Sequence, residues 1–373
     1  MVTRIKRKFI SLRNEITQSS FFKNTALIIT GNVIAQLLAV VFMPIKSRLY
    51  GPELFGEFGI FTATINIVNG LVCLGLVSAI VSPEEDKEGS AIYKVCLISS
   101  ITFAIVLLVL ALILSPVFRV IHVSANYYLI CILMGVFMVV NNWAAMTYTW
   151  GNRQKAYKLL MYNPIIGQVV NFIVVVCFVL LDVKSVGLIA GAIVSQIVIM
   201  IHLLRHLKPM QFKHSIEDFK FVLRKYKDFP MYQMPSNFLK GFGAQFPIIL
   251  MGTYFGANFV GHYNMGQSLL YVPITLVGSA MGQVHFKQAT DIYNSGGDVG
   301  EFTYKVVKGI LIFAFFPLLI CAIFGEWIFR VFLGADWGMA GNIAQIRSFE
   351  LLFVSMMFSV SYILVVLKKQ NMV

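Results

Sequence analysis

Charged residues, and acidic ones above all, are scarce in this sequence of 373 residues. Only 13% of the chain is charged, against about 25% in an average soluble domain. Its 17 acidic residues are outnumbered by 32 phenylalanines, and 58% of all residues are hydrophobic. A soluble domain needs a polar surface that this composition does not supply. The composition therefore excludes a soluble enzyme and a disordered chain, and it predicts a polytopic membrane protein.

Cysteine is also scarce, and its placement offers no redox or zinc chemistry. The five cysteines lie inside apolar runs without a second cysteine or a histidine at metal-ligand spacing, and they are interpreted as small core residues. The sequence lacks the catalytic patterns HExxH, DxD and GxSxG, and its six histidines are scattered. We therefore expect a protein that is not an enzyme and that uses no metal or other cofactor.

Long apolar runs recur along the whole chain. A lipid hydrocarbon core of about 30 Å needs about 20 apolar residues per helix. Runs of this kind cover residues 25–45, 57–81, 95–118, 127–149, 159–181, 186–204, 235–256, 260–284, 305–325 and 341–367. Strand-like alternation is missing, and the connections carry turn residues, as in SPEEDKEG and NSGGD. The predicted fold class is all-α, with about ten transmembrane helices.

Basic residues are distributed unequally between the two sides of these predicted helices. With alternate loops assigned to opposite sides, the side without the termini carries only Lys46, Arg48, Arg119, Lys184 and Arg330. Because cytoplasmic loops are enriched in Lys and Arg, both termini are predicted to be cytoplasmic. The basic arm 1–24 lacks the apolar segment and cleavage site of a signal peptide and is assigned to the same side.

The longest polar connection divides the chain into two predicted bundles. An N-terminal six-helix bundle covers 25–207, and a C-terminal bundle of about four helices covers 235–373. The cytoplasmic linker 208–234 holds a capping-box pattern at Ser215 and Asp218. Apolar residues follow at helical spacing, namely Ile216, Phe219, Leu223 and Tyr226. The linker is therefore predicted to contain an amphipathic surface helix.

A weak internal repeat relates the two bundles. Residues 50–58, YGPELFGEF, align without gaps on residues 255–263, FGANFVGHY, at an offset of 205 residues. Gly51 falls on Gly256, and Asn32 of the first helix falls on Asn237 of the seventh. An odd-numbered helix matches an odd-numbered helix, so the repeat is parallel, as in alternating-access transporters. A six-helix first bundle predicts six helices in the second, whose last two are then missing from this chain.

Polar side chains within or next to the apolar runs are the candidate substrate-binding residues, because ionisable groups in lipid are costly. These candidates are Asn32, Gln36, Lys46, Arg48, Asn237, Lys240, Gln267 and Arg347. Alternatives remain open: amides also bond neighbouring helices, and Lys46 and Arg48 also fit side chains that reach the interface. Glu350, the only acid well inside a run, is a candidate proton or sodium site, but it also fits a structural ion pair with Arg347.

The sign of these candidate charges favours an anionic ligand. The first and seventh helices contain no Asp or Glu beyond Glu53 and Glu57 in the following turn. A cavity for cations would need carboxylates, whereas Lys and Arg suit an anion such as phosphate. Lys240 is the strongest candidate, because no acid lies near it in its own helix.

Three stretches resemble the O-antigen and other polysaccharide flippases of the multidrug/oligosaccharidyl-lipid/polysaccharide exporter superfamily. They are NTALIITGNVIAQLLAVVFMPIKSRLYGPELFGEFGIFTA, KYKDFPMYQMPSNFLK and FGANFVGHYNMGQSLLYVPITLVGSAMGQVHFKQA. The resemblance implies two six-helix bundles around a central cavity that opens alternately to each side of the membrane. It also implies a polyprenyl-diphosphate-linked oligosaccharide as substrate, with Lys46, Arg48, Lys240 and Arg347 meeting the diphosphate or acidic sugars.

The sequence hypothesis is therefore a flippase of the bacterial cytoplasmic membrane for lipid-linked glycan precursors. Its expected partners are the lipid-linked oligosaccharide, membrane lipids and other polysaccharide assembly proteins, and no nucleic acid. A drug or metabolite exporter of the same superfamily is the nearest alternative. A membrane glycan polymerase or ligase is less favoured, because the loop near residues 326–338 is short for such an enzyme.

Overall fold

The computed structural model describes residues 20–113, 126–295 and 297–366, with side chains except those of 20–25, 112, 273, 275–287, 294, 313 and 356–366. Its helices are α1 (Ser20–Val72), α2 (Asp86–Ile113), α3 (Tyr127–Arg153), α4 (Tyr157–Leu180), α5 (Lys184–His206), α6 (Ile216–Lys225), α7 (Met234–Asn294), α8 (Val299–Leu333) and α9 (Gly338–Val366). Short 3₁₀ turns at Ser78–Val81 and Ala335–Trp337 and a π-helical turn at Phe229–Gln233 complete the described elements. These residues contain no strand.

The two longest helices, α1 and α7, are each interrupted by a kink, so that each consists of two helices. The predicted all-α fold is confirmed, and the described residues form ten long helices when α1 and α7 are each counted as two. Six of the helices are long and apolar enough on their own to cross a membrane. The predicted arm 1–24 lies outside the described residues except for the beginning of α1.

Both kinks lie at the glycines that the internal repeat aligns. Gly51 has φ 68° and ψ 172°, and Gly256 has φ 82° and ψ 172°. This backbone conformation is open to glycine and nearly closed to residues with a Cβ. The match predicted from a few side chains is therefore also a match of backbone geometry.

The observed helices extend beyond the predicted apolar runs. The connection expected at residues 46–56 is helical on both sides of Gly51. Helix α8 begins well before residue 305, because the Asp298 side chain accepts hydrogen bonds from the backbone N–H groups of Gly300 and Glu301. Hydropathy marks only the part of a helix that lies in lipid, whereas capped helices continue through the interface.

The described chain forms two compact units with boundaries different from those of the predicted bundles. Unit 1 comprises the chain up to Phe42 together with Glu57–Ala257, and unit 2 comprises Met43–Gly56 together with the chain from Asn258 onward. The helix expected to open the C-terminal bundle packs in unit 1, where Gly70 lies against the backbone of Phe238 and Gly241 against that of Asn66. The absence of side chains at these glycines permits this close approach.

Unit 1 has a core in which large aromatic side chains satisfy one another's polar groups. Trp143 Nε1 donates to the Tyr93 hydroxyl over 2.7 Å, and this hydroxyl lies 2.8 Å from Thr147 Oγ1. Trp150 is almost fully buried beside Tyr93. At one end of α3, Arg153 forms a 2.8 Å ion pair with Asp86 at the start of α2. These contacts join α2 to α3.

The linker helix α6 is capped as predicted. Ser215 Oγ accepts from the Asp218 backbone N–H, and the Asp218 carboxylate accepts from the Ser215 backbone N–H over 2.9 Å. The hydrogen bond from Ser215 lowers the pKa of Asp218. This part of the cap's stabilisation is therefore present above the carboxyl's unfolded pKa and is lost as the pH falls through the lowered value.

The buried face of α6 differs from the predicted one. Val222 is buried in the core of unit 1, with Phe219 and Tyr226 packed against it. Ile216 is 72% exposed and Leu223 is also exposed, so the expected apolar stripe is wrong at both positions. The rotation of α6 is set instead by contacts with α2. Glu88 of α2 accepts one hydrogen bond from Lys225 Nζ over 2.6 Å and another from the Tyr226 hydroxyl over 3.0 Å.

Replacing either kink glycine by alanine is expected to lower the free energy of unfolding by about 1–3 kcal/mol, the cost of this conformation for a residue with a Cβ. No atom lies within 4 Å of a Cβ built at Gly51 or Gly256, so the loss would come from the backbone alone. Thermal unfolding of the purified protein in detergent measures it.

Gly243→Ala is the matched control for the two kink variants. Gly243 lies in an ordinary helical stretch of α7 with equally open surroundings. There alanine is expected to be neutral or stabilising by up to about 1 kcal/mol. Equal stability of Gly51→Ala and Gly243→Ala would contradict the role assigned to the kink.

Candidate functional site

Among the predicted basic candidates, Lys240 is the one that belongs to unit 1, and its side chain is exposed. It lies on the first part of α7. Nearby Asn237 is half-buried, and its side-chain oxygen accepts from Gln233 Nε2 over 2.9 Å. On α1, Asn32 is exposed, whereas Gln36 is half-buried with an Oε1 atom that has no hydrogen-bond partner among the described residues. The Asn237 amide is therefore engaged locally, while the Gln36 oxygen remains an available acceptor.

In unit 2, Arg48 is engaged with the end of α8. Its Nη2 donates to the Val331 carbonyl over 3.0 Å. The adjacent Ser47 Oγ donates to the Leu333 carbonyl over 2.8 Å. Since the last carbonyls of a helix have no partners within it, these two donors satisfy groups that the helix end leaves open. Lys46 on the same segment is half-buried.

Arg347 is held by partners on both sides of its guanidinium group. Its Nη1 donates to the Tyr263 hydroxyl over 2.6 Å, and its Nη2 lies 3.1 Å from Glu350. The guanidinium carbon also lies 5.3 Å from the centroid of the Tyr263 ring. The Arg347 Nε atom is buried without a hydrogen-bond partner in the described part of the chain. The structural ion pair with Glu350, one of the two predicted alternatives, is thus formed. Gln267, another predicted candidate, is half-buried on α7.

A buried tryptophan organises the end of unit 2 around residues 47–55. Trp337 is only 1% exposed, and its Nε1 donates to the Ser47 carbonyl over 3.2 Å. The edge-to-face contacts of its ring are with Phe55, at 5.5 Å between centroids, and with His262, at 5.6 Å. The kinked segment of α1, the second part of α7 and the turn after α8 therefore meet at one packed centre.

Next to this centre is an open cavity of about 600 Å³. It is lined by residues 50–54, Asn258, His262 and Asp336. Two of these residues, Glu53 and Asp336, carry carboxylates, and none of the described lining residues is Lys or Arg. We refer to this cavity as the acidic pocket.

Two buried titratable residues were not among the sequence candidates. Glu57, assigned to a turn, lies in α1 and is 4% exposed, and His262 in α7 is 5% exposed. The offset of 205 residues that aligns Gly51 with Gly256 also places Glu57 on His262. The signal was therefore present in the repeat, since a charged or polar residue recurred at equivalent positions. Tyr263, the partner of Arg347, gave no comparable signal.

The apolar helices define a multi-pass membrane protein. It resembles the lipid II flippase MurJ in an inward closed conformation, with TM-score 0.69, 13% identity, and coverage of 92% of this chain and 76% of that chain. It also resembles an inward-facing multidrug resistance MATE family transporter of the MOP superfamily, with TM-score 0.58, 16% identity, and coverage of 91% and 84%.

A family model described as "Polysaccharide biosynthesis protein" matches residues 45–341. The chain belongs to this family, which confirms the resemblance noted in the sequence. No curated protein sequence matches the chain.

Tyr263→Phe is expected to lower the free energy of unfolding by about 1.5–3 kcal/mol, because it removes a hydrogen bond to a charged, partly buried Arg347. Thermal unfolding in detergent measures the loss. Tyr254→Phe is the control, since Tyr254 is 78% exposed on the same helix. If both variants unfold alike, the Tyr263 hydroxyl does not hold Arg347 in the way described.

Proposed function

We propose that this protein is a flippase that moves a polyprenyl-diphosphate-linked oligosaccharide, the precursor of O-antigen or another surface polysaccharide, across the bacterial cytoplasmic membrane. The observation that carries the proposal is the family match over residues 45–341. The fold shared with MurJ, named as a lipid II flippase, supports the same substrate class. In this proposal both termini are cytoplasmic.

The physical task of such a protein is to shelter a charged diphosphate and a polar glycan while the polyprenyl tail remains in lipid. A charge in hydrocarbon is costly, so the diphosphate needs fixed cations along its path. Access that alternates between the two sides of the membrane would carry the polar part across without opening a continuous pore.

Lys240 is the cation best suited to this task among the predicted residues. Arg347 is paired with Glu350 and Tyr263, and Arg48 donates to a backbone carbonyl. The exposed Lys240 ammonium can reach a mobile ligand without breaking such contacts. The proposal therefore gives Lys240 the direct contact with the diphosphate and gives Arg48 and Arg347 supporting roles.

A drug or metabolite exporter is the second candidate. It is favoured by the fold shared with a multidrug resistance MATE family transporter. An exporter would act on compounds that need no lipid carrier, and its loss would leave lipid-linked intermediates at their normal level.

Lys240→Ala is expected to reduce flipping about tenfold or more, as for the loss of one charge-assisted hydrogen bond. The measurement is the amount of lipid-linked oligosaccharide that accumulates in a host lacking this gene and any redundant flippase. Wild-type protein should clear the intermediates, and Lys240→Arg should retain most of the activity because it keeps the charge.

Lys308→Ala serves as the control, because it removes an exposed cation from α8. It should clear the intermediates like the wild type. Normal clearance by Lys240→Ala would refute the role of Lys240. Absence of accumulation in the deletion host would refute the flippase proposal and favour the exporter.

A further inference from the structure

The acidic pocket of unit 2 differs in charge from the predicted diphosphate contacts. We propose that it binds a sugar unit that is neutral or carries an amino group, and that it rejects sugars with a carboxylate or phosphate. The inference rests on the proposed function, because it assigns a contact to the glycan part of the same substrate.

The first argument is the chemistry of the lining. Carboxylates such as Glu53 and Asp336 only accept hydrogen bonds, so they pair with the hydroxyl and ammonium donors of a sugar. Asn258 adds an amide that both donates and accepts. With no basic residue among the described lining residues, an anionic ligand would meet like charges and little attraction.

The second argument is a buried polar group in the wall. His262 lines the pocket and is 5% exposed, yet its Nδ1 atom has no hydrogen-bond partner among the described residues. A buried polar atom without a partner costs free energy, so such an atom beside a cavity points to a ligand. The Trp337 ring, whose Nε1 donates to the Ser47 carbonyl, packs edge-to-face against His262.

The third argument is the position of the pocket in the repeat. Glu53 and Asn258 are equivalent residues at the offset of 205, and both line this pocket. They follow the kinks at Gly51 and Gly256 by two residues, so each kink turns an equivalent side chain toward the same space. The two copies supply different chemistry, a carboxylate and an amide, which suits an asymmetric ligand.

The pocket is also large enough for the proposed ligand. Its volume of about 600 Å³ falls within the range of small-molecule sites. The described residues contain no group of three or more His, Cys, Asp or Glu side chains placed to hold a metal ion, so the proposal commits to an organic ligand. In the proposed orientation the pocket opens away from the cytoplasm, where a glycan arrives after translocation.

Saturation-transfer NMR on the full chain in nanodiscs of zwitterionic lipid tests the proposal. The probes are methyl glucoside, glucosamine and glucuronate, with ethanolamine as an amine without a sugar ring. Methyl glucoside and glucosamine should receive saturation from the protein, whereas glucuronate and ethanolamine should not.

Variants then locate the binding. Glu53→Gln and Asp336→Asn should each weaken glucosamine binding about tenfold, the effect of one lost charge-assisted hydrogen bond. Asn258→Ala should weaken both sugars. Glu326→Gln is the matched control: it removes a carboxylate of unit 2 that pairs with Arg330 and does not line the pocket, so sugar binding should not change.

The inference would be overturned if no sugar binds, if glucuronate binds as well as glucosamine, or if the pocket variants bind like Glu326→Gln. Binding of ethanolamine without methyl glucoside would indicate a simple cation site and would also refute it. If these tests fail while the wild-type chain clears lipid-linked oligosaccharide in cells, only the pocket assignment falls. If sugars bind but no intermediates accumulate on deletion, the proposed flippase function falls.

Discussion

A polypeptide in lipid must satisfy its backbone N–H and C=O groups internally, and the structure follows from that requirement. It favours long helices and allows a break only where the freed backbone groups find other partners. At Gly51 and Gly256 the chain changes direction within a single residue, at a conformation that glycine alone adopts readily. Where a helix does end, as α8 does near Leu333, side chains from residues 47 and 48 satisfy its last carbonyls. The kinks and these donors both meet the requirement that backbone polar groups are satisfied within the protein.

Packing between the helices depends on small residues and on polar side chains that serve one another. The glycines at 325 and 341 leave α8 and α9 room to approach backbone to backbone within unit 2. In unit 1, Asn142 Nδ2 donates to Asn69 Oδ1 over 2.6 Å and links two helices. This amide pair serves structure, and the contact of Asn237 with Gln233 is of the same kind. Among the candidate amides of unit 1, Gln36 keeps a buried side-chain oxygen without a hydrogen-bond partner in the described residues.

The sequence predicted those features that are determined locally. Hydropathy predicted the ten long helices, the capping box predicted the start of α6, and the repeat aligned the two kinks. It did not predict the contacts of Arg347 with Tyr263 or of Trp337 with His262, because these side chains are distant in the chain and meet only after folding. The exposure of Ile216 has the same origin, since a contact with Glu88 of α2 sets the rotation of α6. Neither hydropathy nor periodicity contains that information.

The internal repeat separates what the backbone requires from what a ligand requires. Gly51 and Gly256 are identical and share one conformation, so the scaffold of the two copies has been retained. The neighbouring equivalent pairs differ in chemistry: Glu53 with Asn258, and Glu57 with His262. Before the kinks, Lys240 stands where the first copy has a buried alanine, Ala35. A scaffold needs the same glycine twice, but a single asymmetric substrate needs different side chains at equivalent places. Under the proposed function, the positions where the two copies differ in polarity are the candidates for recognising the glycan and its diphosphate.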